Sequence, residues 1–170
     1  MNLSRSALIA GVVLIAVTAQ VAVFSLFSVN GVVPNLALVV VVAASISRGQ
    51  QFGAVIGFLA GMLVDLAPPA DHVAGRWALA LVVVGVLAGR VRADASRNPL
   101  AGLTTVAICS FVGTSLFALS GLVLDDHALP VSQLVAVIGI SVLWDVVLAP
   151  LLLPVLLLVF ERTRTPELAY

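Results

Sequence analysis

The sequence consists of long apolar stretches separated by short polar connections. The first stretch, residues 7–27, is long enough as a helix to cross the roughly 30 Å hydrocarbon core of a bilayer. Hydrophobic residues make up 62% of the chain and charged residues 9%, which is more apolar surface than a soluble domain of this size can cover. Strict alternation of apolar and polar residues is missing, so helices are favoured over the strands of a barrel. The sequence predicts an all-α integral membrane protein.

Six such stretches form one polytopic membrane domain over residues 1–170, as a six-transmembrane-helix bundle. Their approximate bounds are 7–27, 32–47, 50–66, 75–89, 100–124 and 129–160. In the last stretch, Pro150 and Pro154 predict a kink or a break near 150–154, because proline removes a helical hydrogen bond. The first stretch is longer than the usual apolar region of a signal peptide and no clear cleavage site follows it, so we interpret it as a retained anchor.

The arginines are distributed unevenly between the two sides of this bundle. Only Arg76 falls on the side opposite the termini, and the side of the termini carries Arg5, Arg48, Arg90, Arg92, Arg97, Arg162 and Arg164. Basic residues next to membrane helices are enriched on the cytoplasmic side. We therefore expect a multi-pass protein with both termini in the cytoplasm. Because lysine is absent and the formal net charge is zero, the chain offers no basic face for nucleic acid.

Glycine recurs every four residues in the third stretch, at Gly49, Gly53, Gly57 and Gly61, and the next position in this register is Asp65. Residues four apart lie nearly above one another on a helix, so the glycines form a groove along one side. In a bilayer such a groove lets another helix approach closely. The partner is either another helix of this chain or a helix of a different subunit.

Asp145 is the one acidic residue that six crossings place well inside the membrane. A charge there is costly, so the side chain should face the interior of the bundle. It is then either protonated or bound by hydroxyl donors, for which the candidates are Thr114, Ser115 and Ser141. Two interpretations stay open: a conformational or proton-linked site, and a polar clasp between helices.

Two further polar positions lie near helix ends. Asp65 either pairs with Arg76, caps a turn before Pro68, or contacts a partner protein. Pro34-Asn35 either starts and caps a helix or forms a bend that lines a site.

The sequence offers no catalytic or metal-binding pattern. Asp71-His72 and Asp125-Asp126-His127 lack further ligands nearby and are interpreted as solvated loops. No Gly-x-Ser-x-Gly, phosphate-binding glycine loop or His-Glu-x-x-His motif occurs. The single cysteine, Cys109, is interpreted as a packing residue. We predict a protein that is not an enzyme and uses no cofactor or metal.

Three segments, read together, resemble the rod shape-determining protein family MreD. Residues 34–66 begin with Pro-Asn and contain Gly-Phe-x-x-Gly-x-x-x-Asp-Leu at 57–66, and residues 74–91 and 144–164 complete the likeness. The final segment carries prolines before a basic end. The resemblance covers most of the chain in order, although Val33 stands where a basic residue often precedes Pro-Asn and Asp145 stands where a neutral amide is expected.

The resemblance implies a non-enzymatic membrane scaffold subunit of the bacterial cell-wall elongation complex. It would lie in the bacterial cytoplasmic membrane and support peptidoglycan synthesis and rod shape. The implied partners are MreC most directly, with the glycan polymerase RodA, a class B penicillin-binding transpeptidase and the MreB filament in the same complex. The family's helix arrangement is similar to that of the substrate-binding subunits, or S-components, of energy-coupling-factor transporters.

Two other function classes remain open. A vitamin-binding subunit of an energy-coupling-factor transporter predicts a ligand pocket near the outer helix ends, with Asp65, Arg76 and Trp77 as candidate contacts. A membrane-embedded enzyme requires a second catalytic group beside Asp145, and the sequence does not provide one.

Overall fold

The computed structural model describes residues 3–68, 72–125 and 131–163, and this part of the chain is helical with short connections. The elements are α1 (Leu3–Ala22), a 3-10 turn (Phe24–Phe27), α2 (Leu36–Arg48), α3 (Gln50–Leu66), α4 (Arg76–Arg90), the short α5 (Arg92–Ala95), α6 (Pro99–Val123) and α7 (Val131–Arg162). The described residues contain one isolated β-bridge, between Val29 and Val32. The predicted all-α fold is confirmed.

The connection from α1 to α2 is irregular over residues 28–35. Asn30 and Gly31 both have positive φ, at 50° and 78°, and the backbones of Val29 and Val32 exchange two hydrogen bonds around them. This is the Asn-Gly turn that favours positive φ at both central positions. The predicted stretch 32–47 therefore becomes helical only at Leu36, and its first residues are irregular backbone.

α2 lies at the centre of the fold. All of its residues from Leu36 to Ser47 are buried, and it packs against α1, α3, α4, α6 and α7. A helix that is hydrophobic around its whole circumference is expected to be surrounded by other elements. The hydrophobic core is therefore built around a helix of 13 residues.

Among the described helices, α3 and α4 make the most extensive contact with each other. α1 packs on α2 and α3, while α6 packs on α4 and α7. The connection from α4 to α6 contains α5, and Asn98 then caps α6 by accepting a hydrogen bond from Leu100 N at 3.0 Å. Pro99 occupies the first helical turn, where a missing N–H has no cost.

α7 runs as one helix through Pro150 and Pro154. The break, one of the two alternatives predicted near 150–154, does not occur. Each proline removes one N–H from the helical ladder but leaves the bonds on either side, and neighbouring helices in a bundle help to maintain the backbone.

Within the described residues, three helices are long and apolar enough to cross a membrane: Leu3–Ala22, Pro99–Val123 and Gln133–Arg162. α2 and α3 are apolar too, but with 13 and 17 residues they are shorter than the about 20 residues that a spanning helix usually needs. The described residues thus provide three candidate spans, which suits a membrane protein.

Candidate functional site

The glycines of α3 face α4 of the same chain. A Cβ atom at Gly57 would lie 2.6 Å from Leu81 C, and one at Gly53 would lie 2.8 Å from Gly85 O. At Gly61 a Cβ would lie 2.6 Å from Trp77 O. These distances are to backbone atoms, so the α3–α4 seam formed by these three glycines has no room for any side chain.

The opposite side of the seam carries glycines that the sequence reasoning did not single out. A Cβ at Gly85 would lie 2.8 Å from Ala54 N, and one at Gly89 would lie 2.7 Å from Gln50 Cβ. Gly85 and Gly89 are four residues apart, as in α3. This four-residue spacing in the sequence could therefore have identified α4 as the helix that packs against the glycines of α3.

Gly49 does not belong to the seam. It lies between α2 and α3 with φ at 91°, and its N–H bonds to Ser45 O at 2.7 Å. A Cβ there would meet only Arg92, at an ordinary contact distance of 3.6 Å. Gly49 is needed for its backbone conformation. The expectation that it extends the packing groove is wrong, because the helical register starts only at Gln50.

Asp65, the last position in the glycine register, binds the start of α4. Its buried carboxylate accepts hydrogen bonds from the backbone N–H groups of Gly75, Trp77 and Ala78 at 2.9, 3.0 and 3.0 Å. These donors belong to the first turn of α4, whose N–H groups have no partner within the helix. The carboxylate therefore anchors the start of α4 to the end of α3.

A cation–aromatic cluster lies next to this anchor. Arg76 Nη2 donates to Phe117 O at 2.7 Å, Arg76 Nε donates to Ser120 Oγ at 3.2 Å, and the guanidinium carbon lies 4.0 Å from the centre of the Phe117 ring. Trp77 stacks on the same ring with centroids 4.4 Å apart. His72 meets it edge-on at 5.1 Å. The cluster joins α4 to α6, and sequence reasoning missed Phe117 because no local pattern marks it.

The start of α2 is held by side chains from two other helices and by its own cap. Asn35 Oδ1 accepts from Leu38 N at 2.9 Å, Gln20 Oε1 from α1 accepts from Ala37 N at 3.1 Å, and an Asp145 carboxylate oxygen from α7 accepts from Asn35 N at 2.8 Å. The other Asp145 oxygen accepts from Ser110 Oγ of α6 at 2.6 Å. We call Gln20, Asn35, Ser110 and Asp145 the α2 cap cluster.

All the acceptors in the α2 cap cluster are buried. A helix that starts inside a protein must have its first N–H groups bound, since each unpaired one costs about 1–3 kcal/mol. Asp145 therefore acts as an acceptor that joins α2, α6 and α7.

The donors predicted for Asp145 differ from those found. They are Ser110 Oγ and a backbone N–H, whereas Thr114 Oγ1 is buried without a hydrogen-bond partner among the described residues. The side-chain donor therefore lies on α6, one helical turn before Thr114, but it is none of the three candidates Thr114, Ser115 and Ser141. Gln20 and Ser110 carry no pattern that sequence reasoning could have detected.

The other described residues that the sequence singled out lie outside the α3–α4 seam. Pro34 is buried and precedes the Asn35 cap. Cys109 is buried, with Sγ 3.9 Å from Val84 O. His72 Nδ1 lies 3.6 Å from Asp65, and Asp125 is exposed. Asp71, Asp126 and His127 lie outside the described residues. Among the residues described, no group of three His, Cys, Asp or Glu side chains could hold a metal ion.

Comparison with models of protein families, with curated proteins and with solved structures found no match to this chain.

Proposed function

We propose that this chain is a non-enzymatic scaffold subunit of the bacterial cell-wall elongation complex, of the MreD type, which binds MreC in the cytoplasmic membrane. RodA, a class B penicillin-binding transpeptidase and MreB belong to the same proposed complex. Its work is association, so no bond is made or broken on it.

One observation carries the proposal. Two residues on which the resemblance depends bind backbone groups of their own chain: Asp65 holds the start of α4, and Asn35 caps the start of α2. The Gly57 and Gly61 positions of the motif pack directly against α4. Motif residues used in this way build a rigid framework, which is what a scaffold requires.

The proposal includes six crossings with both termini in the cytoplasm. α2, α3 and α4 are short for this, but α2 begins inside the bundle, where Gln20 accepts from Ala37 N and Asp145 accepts from the N–H of the capping residue Asn35. Irregular backbone at membrane depth is tolerated where protein shields it. The segment before Leu36 can therefore complete the second crossing without being helical.

The partner must bind a surface other than the α3–α4 seam, because α4 fills it. Val55, Phe58 and Leu59 are at least half exposed on the outer side of α3. Exposed apolar side chains of this kind suit contact with a membrane helix, in which van der Waals packing dominates.

The proposal is tested by co-expressing the tagged chain with MreC and measuring the amount of MreC that is retained after purification in detergent. Wild type should retain MreC. Cysteines placed at Val55 or Leu59 should crosslink to it, whereas a cysteine at Leu79, exposed on α4, serves as the matched control. The native Cys109 is buried and should give little background.

The same purification separates the proposal from the transporter alternative. A wild-type chain that retains no MreC but holds a stoichiometric small molecule would support a vitamin-binding subunit. The contacts that such a subunit needs at Asp65 and Arg76 are already used by backbone groups and by Phe117, and this favours the scaffold.

A further inference from the structure

A cleft of about 510 Å³ lies between α6 and α7, at the end of the molecule where the α4–α6 connection enters α6. We call it the α6–α7 cleft, and its walls include Arg97, Leu100, Leu103, Pro150, Leu153 and Leu157. Its volume is within the usual range for small-molecule sites. Ala95, Gly102 and Ala149 also line it, and their small size keeps the space between the helices open.

The cleft is polar only at one end. Arg97 is exposed there. The start of α6 lies beside it, and the first turn of a helix favours negative charge. An anion is therefore favoured at this end, and apolar chains are favoured along the rest.

The positions around the rim are also exposed and apolar. Leu100 is 66% exposed, and Pro150 and Pro154 are exposed as well. The cleft thus opens sideways between α6 and α7, and both are among the described helices that are long enough to cross a membrane. An occupant can enter it directly from a bilayer.

We propose that the α6–α7 cleft binds one anionic glycerophospholipid, with the phosphate at Arg97 and the start of α6 and an acyl chain along Leu103, Leu153 and Leu157. Basic pockets between membrane helices on the cytoplasmic side suit anionic lipid head groups. The inference rests on the membrane placement in the proposed function, which assigns Arg97 to the cytoplasmic side. The lipid therefore comes from the inner leaflet.

The test uses the full-length chain purified in detergent, and native mass spectrometry measures its binding of phosphatidylglycerol and of phosphatidylcholine with identical acyl chains. Wild type should prefer phosphatidylglycerol. Arg97→Gln should weaken the binding of phosphatidylglycerol about fivefold, which is the effect expected from losing one arginine near an anionic lipid. Arg90→Gln removes the same charge from an exposed position outside the cleft and should change binding little.

A second variant, Leu100→Trp, fills the cleft from an exposed position and should lower the occupancy of phosphatidylglycerol without disturbing the core. Equal binding of the two lipids by wild type would overturn the proposal. Equal losses in the two arginine variants, or undiminished occupancy in Leu100→Trp, would also overturn it. MreC capture is measured on the same preparations, so that a wild type which binds phosphatidylglycerol but captures no MreC would contradict only the scaffold proposal.

Discussion

Replacing Gly57 by alanine tests the α3–α4 seam with a single methyl group. The added Cβ would lie 2.6 Å from Leu81 C and 3.0 Å from Val82 N, where ordinary contacts begin at 3.4 Å. Both contacted atoms belong to the backbone of α4, so a side-chain rotation cannot relieve the clash. The carbonyl oxygen of Leu81 would lie closer still, so the two helices must move apart by about 1 Å, and the contacts along the seam weaken as they do so.

The expected magnitude follows from two opposing effects. Overpacking a well-packed core costs about 1–3 kcal/mol, and a clash with backbone is expected at the upper end. Alanine recovers about 1 kcal/mol, because it is a better helix former than glycine. We expect Gly57→Ala to lower the free energy of unfolding by about 2 kcal/mol, and Gly57→Leu to lower it further and to reduce MreC capture.

The measurement is reversible unfolding in mixed detergent and dodecyl sulfate, followed by helical circular dichroism. Gly139→Ala is the matched control, because Gly139 lies within α7 and a Cβ there meets nothing within 4 Å. It should raise stability by up to about 1 kcal/mol. If Gly57→Ala proved as stable as Gly139→Ala, the seam could not be the tight contact described.

Three further substitutions test the polar and aromatic contacts by the same unfolding measurement. Asp65→Asn should lower the free energy of unfolding by about 1–2 kcal/mol, since one amide oxygen cannot accept from all three N–H groups. Asp125→Asn, at an exposed position, should leave the free energy of unfolding unchanged. Equal effects of the two substitutions would contradict the anchoring role of Asp65. Asp145→Leu should lower the free energy of unfolding by about 1–3 kcal/mol, because it leaves Asn35 N unpaired. Asp145→Asn keeps an acceptor and should lower it less. The reverse order would refute the role of Asp145 as the acceptor that joins α2, α6 and α7. Phe117→Leu should lower the free energy of unfolding by about 1–2 kcal/mol, because it removes the cation–π contact with Arg76 and the stacking contact with Trp77. An unchanged free energy of unfolding would argue against these contacts.

The features that could be predicted are those set by neighbouring residues. The helical class followed from the apolar stretches, and the structure confirms it. Asn35 caps a helix, one of the two alternatives that the sequence left open, because a cap depends on residues within one turn. The length of the second helix was less predictable, since its start is fixed by contacts with Gln20 and Asp145 from distant parts of the chain.

Gly49 illustrates the limit of a spacing argument. It shares the four-residue register of the seam but sits outside the helix, because the chain reverses there with a positive φ. Likewise, Pro150 and Pro154 predicted a kink or a break, and α7 runs through both without a break while it packs against α2 and α6. A proline inside a helix costs about 3 kcal/mol relative to alanine, and tertiary contacts along a long helix can outweigh this cost.

The amino-acid sequence by itself determined that this chain is helical and apolar, that α3 carries a groove of small residues, and that an acid lies in its last apolar stretch. The tertiary structure alone decided that the groove is filled by α4 and that Asp145 binds Asn35, 110 residues away. The physical reason is that hydrophobicity and helix caps act within a few residues. Which helix fills a groove, and which buried N–H a carboxylate accepts from, depends on the shapes of segments that meet only after folding.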